Sequence, residues 1–321
     1  MTSLKGVSNT NRPNVIENIR DNIITFLDWG LINAGGYFNV SAPSSGHYGG
    51  DAHVLRPVRD PRFTDGQVWE AYRSNFVWES GMGVGTPVSI SGVFVDDTFS
   101  PRNSGHYIDY VNGRVVFDTA QTVSSTVKLY YSYKWVKVID ARFLPIFRRV
   151  QTDSFRVDNS NFLSGSGIYS YLSDSLLQLP LIAVEIPTNT KQEPYELGNS
   201  AQYLSADAVL HVIAEDDSTA SRIGNILINQ EEKTVFMFDT YLIGTNDRFP
   251  LDYRGEKSSN PLTYPDLVAL SGNGGFRYTS DVQQGRLRIS DTSMSNGSWI
   301  SHRIYHKPVK WTTEAIILLN S

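Results

Sequence analysis

The chain has 321 residues, no cysteine, and a formal net charge of −5 from 28 basic and 33 acidic side chains. With no cysteine, disulfides, thiolate chemistry and cysteine-based zinc sites are excluded together. Charges spread along the whole chain, without a basic stripe, argue against a dedicated nucleic-acid binder, although Arg142, Arg148 and Arg149 could form a local basic patch. The length exceeds one hydrophobic core and predicts about two units. Seventeen Tyr against four Met favour β-surfaces that are half apolar and half wet, including surfaces that a partner covers later.

Residues 1–12 read as a polar tail with no apolar stretch of the signal-peptide kind, and no run approaches the length of a membrane span. The expectation is a soluble protein made in the cytoplasm, without membrane contact. Pro13 opens the clearest helix, over 13–30, in which Ile16, Ile19, Ile23, Phe26 and Leu27 recur at spacings of three and four along one face. Gly30 is expected to stop it.

From Tyr37 to about Gly85 the composition is loop-like, and Phe63, Trp69, Tyr72, Phe76 and Trp78 are threaded through it. A loop this long within a compact domain is usually functional. Residues 86–139 carry the strongest β pattern. Strands 107–111 and 114–118 flank Asn112-Gly113, the dipeptide that best accepts a type I′ hairpin turn. Val127, Leu129, Tyr131, Tyr133 and Trp135 alternate, and after Trp135 the phase slips to Val136 and Val138, which predicts a β-bulge or a strand crossing between two sheets.

Further on, Leu181–Ile186 and Ala206–Ala214 read as strands, the second a central one because both of its faces are apolar. Asp216, Asp217 and Ser218 then cap a second helix carrying Ile223, Ile226 and Leu227. Lys233–Ile243, Arg286–Ser290, Trp299–Tyr305 and Ala315–Leu319 follow as β segments. No repeat of fixed period is visible.

No constellation of catalytic residues stands out. His47, Asp51 and His53 lie in a Gly-rich loop with no further ligand at a recognisable spacing, and His302 and His306, four apart in a strand-like stretch, do not meet closely. Asp96-Asp97, Glu215-Asp216-Asp217 and Glu231-Glu232 are accounted for by turns and helix capping. Gly81-Met82-Gly83-Val84-Gly85 lacks the Lys-Ser/Thr ending of a phosphate loop. Neither a metal nor a cofactor is expected, and the chain reads as a non-enzyme.

Three stretches resemble tailed-bacteriophage virion proteins. The first is IRDNIITFLDWGLINAGGYFNV, Ile19 to Val40. The second is the hairpin and Tyr-rich strand YIDYVNGRVVFDTAQTVSSTVKLYYSY, Tyr107 to Tyr133. The third, Leu179 to Ile228, runs from LPLIAVEI through PYELG to SADAVLHVIAEDDSTASRIGNILI. It is similar to tail-terminator and neck (tail-completion) proteins, in which a leading helix is followed by a strand, a Tyr-Glu-Leu-Gly turn, a second strand and an acid-capped helix. The resemblance covers about half the chain and implies an α/β sheet flanked by helices, assembled as a ring that joins tail to head.

The expected fold is therefore α+β and β-rich, a mixed sheet flanked by helices with an inserted small β-sandwich. Residues 1–40 and 136–245 would form the terminator-like core, 41–135 the inserted aromatic loop and sandwich, and 246–321 a C-terminal extension docked on the core. The implied function is a structural subunit of a phage neck or tail. It would partner itself in a ring, hexameric by resemblance, together with neighbouring neck, connector, tail-tube or sheath proteins, and DNA would pass through the lumen without sequence-specific binding. Its place would be the virion, after assembly in the host cytoplasm. The alternative is a baseplate or receptor- and carbohydrate-binding tail protein. Interface candidates are Trp69, Tyr72, Phe76 and Trp78, with the turn Tyr195, Glu196, Leu197 and Gly198.

Overall fold

In the computed structural model, the described residues are 15–41, 52–71, 73–79, 87–141, 178–186, 190–195, 201–239, 251–257, 263–266, 283–301 and 304–318. The fold is α+β and β-rich. Its main body is a mixed sheet whose strands lie in the order β10 (Lys137–Asp140), β11 (Leu181–Glu185), β13 (Ala201–Ala214), β17 (Ile304–Leu318), β15 (Gln283–Met294) and β14 (Thr234–Phe238). Beside this path, β12 (Thr190–Pro194) pairs with β13 and β16 (Ser298–Ser301) with β17. Only β10 and β11 run parallel. The strands β13 and β17 stay in register from Ala201↔Leu318 to Ala214↔Tyr305.

Strand side chains alternate between faces, and here one set is consistently apolar. Leu204, Ala208, Leu210, Val212, Val309 and Trp311 point to a core that is closed by two helices on the same side. One helix is α1 (Val15–Asn33), contributing Ile19, Ile23 and Leu27, and the other is α2 (Asp217–Ile228), contributing Ala220, Ile223 and Leu227. Trp311 is fully buried and its indole N–H donates to the carbonyl of Leu227 at 3.1 Å, near the end of α2. Burial of this ring ties α2 to the middle of the sheet. Its truncation to alanine costs about 3–5 kcal/mol.

The helix ends follow from local chemistry. Asp216 caps α2 as its sequence predicts, accepting from the Thr219 amide at 2.8 Å. Gly30 does not end α1. The helix continues because Leu31 and Ile32 are themselves buried, and it closes at Gly35, φ +86°, where Gly36 donates to Leu31 and Gly35 to Ile32, both at 2.8 Å. This is a Schellman closure, which needs a left-handed residue after the cap.

The inserted unit is built from short strands around a single aromatic core. Strand β1 (Tyr37–Val40) pairs with β9 (Tyr131–Lys134). A four-stranded sheet holds β2 (Arg56–Pro57), β3 (Val68–Glu70), β7 (Arg114–Phe117) and β6 (His106–Asp109), and a three-stranded one holds β5 (Thr98–Pro101), β4 (Gly92–Val95) and β8 (Val127–Lys128). Trp69, Phe76, Ile108, Val115, Leu129 and Tyr131 fill the interior. The aromatic-rich 37–85 stretch is thus largely part of this unit. Tyr37–Val40 belongs to it by strand pairing, so the insert begins a few residues before position 41.

Other expectations change for identifiable reasons. The Asn112-Gly113 hairpin has a four-residue connection, since Asp109 pairs with Arg114 and only Gly113 takes positive φ. The Asp109 carboxylate accepts from the amides of Val111 and Asn112, which favours the longer turn. Asp96 and Asp97 form the tight connection instead, with φ of 47° and 63° between β4 and β5. The phase slip after Trp135 is a crossing: Tyr133 faces the inserted core, Val136 the main one. The C-terminal segment is not a docked extension. Strands β15 and β17 lie inside the sheet, β16 pairs with the start of β17, and Ala315–Leu318 is the end of that same β17 rather than a separate element. Their alternation is diluted by Thr312, Thr313 and Glu314, which hid a 15-residue strand.

The two units meet at a buried ion cluster. Lys134 on β9 donates to Glu79 at 2.9 Å, contacts Asp28 of α1, and lies 5.9 Å from the Trp78 ring. Lys134 and Glu79 are 4% and 1% exposed. Burial pushes the Glu79 carboxyl up to about 8, and Asp28 adds to the effect against the opposing pull of Lys134. Two acids share one cation, and burial favours the protonated form of Glu79. Among the described residues its Oε2 has no hydrogen-bond partner.

Because the folded chain holds a proton that an unfolded glutamate, at its ordinary 4.5, has released, this stabilisation is complete below about 4.5 and is lost progressively as pH rises from there to about 8. Chemical denaturation of Glu79→Gln is expected to match wild type near pH 4.5 and to escape the loss of stability that wild type shows between there and about pH 8. Lys134→Met, which removes the cation from the buried Glu79 and the half-buried Asp28, is expected to lose about 3–5 kcal/mol. An identical loss between pH 4.5 and about 8 in Glu79→Gln and wild type would contradict the assignment.

Candidate functional site

The second face of the main sheet is the candidate. Register places its side chains in rows across the strands. One row reads Glu193, Tyr203, Ile316, Arg286 and Phe236, and the next Lys191, Ser205, Glu314, Arg288 and Thr234. A third joins Asp207 to Thr312 and Asp291, and a fourth joins Glu185, Val209, Lys310 and Ser293. In contrast to the helix-covered face, these residues are half-buried or exposed, with Ile316 at 36%. Toward β10 and β11 the same face turns apolar and buried, at Leu181, Ala183 and Ile213.

The open rows carry a lattice of opposite charges. Lys310 meets Asp207 at 2.8 Å, Lys191 meets Glu193 at 2.7 Å, and Arg288 is bound to Glu232. Exposed pairs of this kind contribute little stability, about 0–1 kcal/mol each, but they fix which donors and acceptors a partner meets. The first row differs, since Tyr203, Ile316 and Phe236 lie side by side and the Arg286 guanidinium sits 5.2 Å from the Phe236 ring. Tyrosine, phenylalanine and arginine are the side chains enriched at protein contacts.

The two sheet edges are not equivalent. At β14 the outward Phe238 amide donates to Asn22 of α1 at 2.9 Å, Asn22 donates back to the Phe238 carbonyl at 2.9 Å, and the Phe236 amide donates to the Tyr264 hydroxyl at 3.0 Å. These side chains occupy the groups with which a further strand would pair, a device that blocks edge-to-edge addition.

Nearby on the open face, Glu185 accepts from His211 at 2.8 Å, and His211 stacks on His306 with 3.0 Å between Nδ1 and Nε2. Sequence spacing sets His306 beside His302, which lies outside the described residues. Its actual neighbour is cross-strand and comes from a distant part of the chain, a contact that local spacing could not reveal. Among the described residues no group of three or more His, Asp or Glu could hold a metal ion. His53 is described, but His47 and Asp51 are not.

A second feature is a cleft of about 560 Å³ in the inserted unit, between β6, β7 and residues 251–257. Its wall brings together Asp60 with Arg62 and Asp252 with Arg254. Tyr107 and the 94% exposed Tyr253 flank the Arg254 guanidinium at 5.1 and 5.5 Å.

The residues proposed as contacts from sequence separate into three groups. Trp69, Phe76 and Trp78 are core side chains at 1%, 1% and 8% exposure, and the Trp69 N–H is taken by the Gly66 carbonyl at 2.8 Å, so they present no side-chain surface to a partner. The reason is that the stretch carrying them is folded into the insert. Tyr195 is exposed at 49%, at the end of β12. Tyr72, Glu196, Leu197 and Gly198 lie outside the described residues. In sequence the open-face residues are the polar half of an ordinary alternation; only register reveals that Tyr203, Ile316, Arg286 and Phe236 form a row.

Burial and the neighbouring His211 hold the His306 imidazole below its ordinary 6.5. Just below that pH the unfolded chain binds more protons than the folded one, so stability present above it is lost as pH falls. Urea midpoints at pH 7.5 and 5.5 should drop less in His306→Gln than in wild type; equal drops would remove His306 from the acid response.

No protein-family model matches the chain, and no curated protein matches it.

Proposed function

We propose that this chain is a structural, non-catalytic subunit of a tailed-phage virion, acting in a neck or tail-completion ring that caps the tail and joins it to the head. The observation that carries the proposal is architectural. The leading helix α1, the strands β11 and β13, and the acid-capped helix α2 belong to one mixed sheet with both helices on one side. This is the element order on which the resemblance to tail-terminator proteins rests, and it leaves one sheet face for neighbours.

The reading also has a quantitative consequence. Strands lie about 4.8 Å apart and alternate residues about 6.8 Å, so the four open rows project an area of roughly 20 Å by 20 Å, about 400 Å². A standard interface buries about 800 Å² on each partner. The face is therefore the centre of a contact rather than all of it, and the exposed Tyr195, which directly follows β12, is a large side chain able to extend it. Since the β14 edge is already occupied, copies would meet face against neighbour, not by adding strands.

In this reading the ring is hexameric and its other neighbours are neck, connector, tail-tube or sheath proteins. DNA passes through the lumen without sequence-specific contacts, in keeping with a net charge of −5. Among the described residues no helix is long and apolar enough to cross a membrane. A second reading, a baseplate or receptor-binding tail protein, is favoured by the aromatic cleft of the inserted unit.

Light scattering on the purified chain, with mass spectrometry of purified virions, tests the ring. A closed oligomer and presence in particles are expected. The double variant Tyr203→Asp, Ile316→Asp should keep its melting behaviour to within about 0.5 kcal/mol, as surface changes do, and should run as a monomer. A wild-type chain that is monomeric and absent from virions would overturn the proposal.

A further inference from the structure

We propose that the cleft beside residues 251–257 is a binding site for a neutral oligosaccharide, on the evidence of paired charges, polar groups without partners among the described residues and an exposed tyrosine ring gathered in one concavity. The cleft is of about 560 Å³, within the usual range for small-ligand sites, about 300–1,000 Å³. Its class of ligand follows from how the lining groups are already engaged.

Charge comes first. The lining holds Asp60, Asp109 and Asp252 against Arg62, Arg114 and Arg254, so the formal charges cancel. The cancellation is local as well. Arg62 grips Asp60 through two bonds of 2.9 and 2.5 Å, Arg114 lies 3.6 Å from the same carboxylate, and Arg254 donates to Asp252 at 3.2 Å. A phosphate or carboxylate ligand would have to compete with a carboxylate at each guanidinium. A neutral ligand meets no such competition.

Polar groups that remain come second. The Arg254 Nη groups, the Tyr107 and Tyr253 hydroxyls and the Asn112 side-chain carbonyl make no hydrogen bond among the described residues, whereas Arg254 Nε and the Asn112 amide are taken by Asp252 and Asp109. The cleft thus offers donors and acceptors together, which suits hydroxyl groups that both donate and accept.

Ring surface comes third. Tyr253 is 94% exposed, with a neighbouring guanidinium on its ring rather than packed apolar atoms. An isolated tyrosine presented in this way is an amphipathic platform, an apolar ring with a wet hydroxyl. The C–H faces of pyranose rings and their hydroxyl rims match these two properties at once. The loop that carries Tyr253 is held to the insert rather than left free, because Gly255 accepts from the Tyr110 amide at 2.8 Å and itself packs against Asp109, leaving no room for a Cβ.

This site is independent of the ring assembly, so its failure would leave that reading untouched. The test is calorimetric titration of the full chain with maltohexaose, cellohexaose, chitohexaose and mannohexaose, and with hexagalacturonate as the acidic probe. At least one neutral oligosaccharide should bind, with an affinity insensitive to added salt. Tyr253→Ala, at a fully solvated position, should weaken it by roughly tenfold or more without changing the melting temperature. Several outcomes would overturn the proposal. They are no binding by any neutral probe, tighter binding of hexagalacturonate than of all neutral ones, and an affinity unchanged in Tyr253→Ala. Loss of self-association in Tyr253→Ala with no glycan bound would make the cleft a protein contact and would likewise overturn it.

Discussion

The structure depends on a single constraint, the alternation of side chains along three long neighbouring strands. Because β13 and β17 stay aligned throughout, and β15 follows them with one bulge between Ile289 and Asp291, the apolar half of each becomes one continuous surface, which α1 and α2 cover with Ile19, Ile23, Ile223 and Leu227. The same alignment gathers the other half into rows of exposed side chains. Burying one face of a sheet and exposing its reverse are the same geometric act. A one-residue slip between β13 and β17 would exchange Leu210 and Trp311 for Val209 and Lys310, which is why register here is strongly specified.

The inserted unit is a second core that branches from this sheet at β9 and β10. The junction is ionic instead of apolar, with Lys134 between Glu79 and Asp28. Buried ion clusters add little net stability compared with well-packed apolar groups. What Lys134 does supply is orientation, because its ammonium can satisfy both acids only when β9 and α1 are correctly placed. The open face, by contrast, carries its charges as exposed pairs, which are cheap to rearrange against a partner. The two units therefore use charge in different ways, one to fix geometry and one to keep a surface wet until it is covered.

Much of the fold was legible from sequence where local pattern and final position agree. Helix α1 announced itself through Ile19, Ile23 and Leu27, helix α2 through Asp216, and the central placement of β13 through its doubly apolar stretch. The crossing after Trp135 was visible as a change of phase. Legibility failed where a residue's role is set by distant neighbours. Trp69 and Phe76 look like loop anchors until β3 and the Phe76↔Tyr133 bridge draw them inward. Asn112-Gly113 has the composition of a two-residue turn, but the Asp109 carboxylate selects another. The row Tyr203, Ile316, Arg286 and Phe236 comes from four strands widely separated along the chain, and His211 meets His306 across 95 residues. No local window contains such pairs.

The central claim is that the uncovered sheet face is where copies of this chain meet. A chain without cysteine accepts a single introduced thiol as a reporter. Labelling Ile316→Cys with a fluorophore and measuring quenching by a soluble quencher, in dilute monomer and in the assembled state, reads that face directly. The account predicts that the label is quenched in the monomer and shielded in the assembly, while a label at the exposed Asp118→Cys position of the insert is quenched equally in both. An Ile316→Cys label that stays equally accessible in a fully formed oligomer would contradict it.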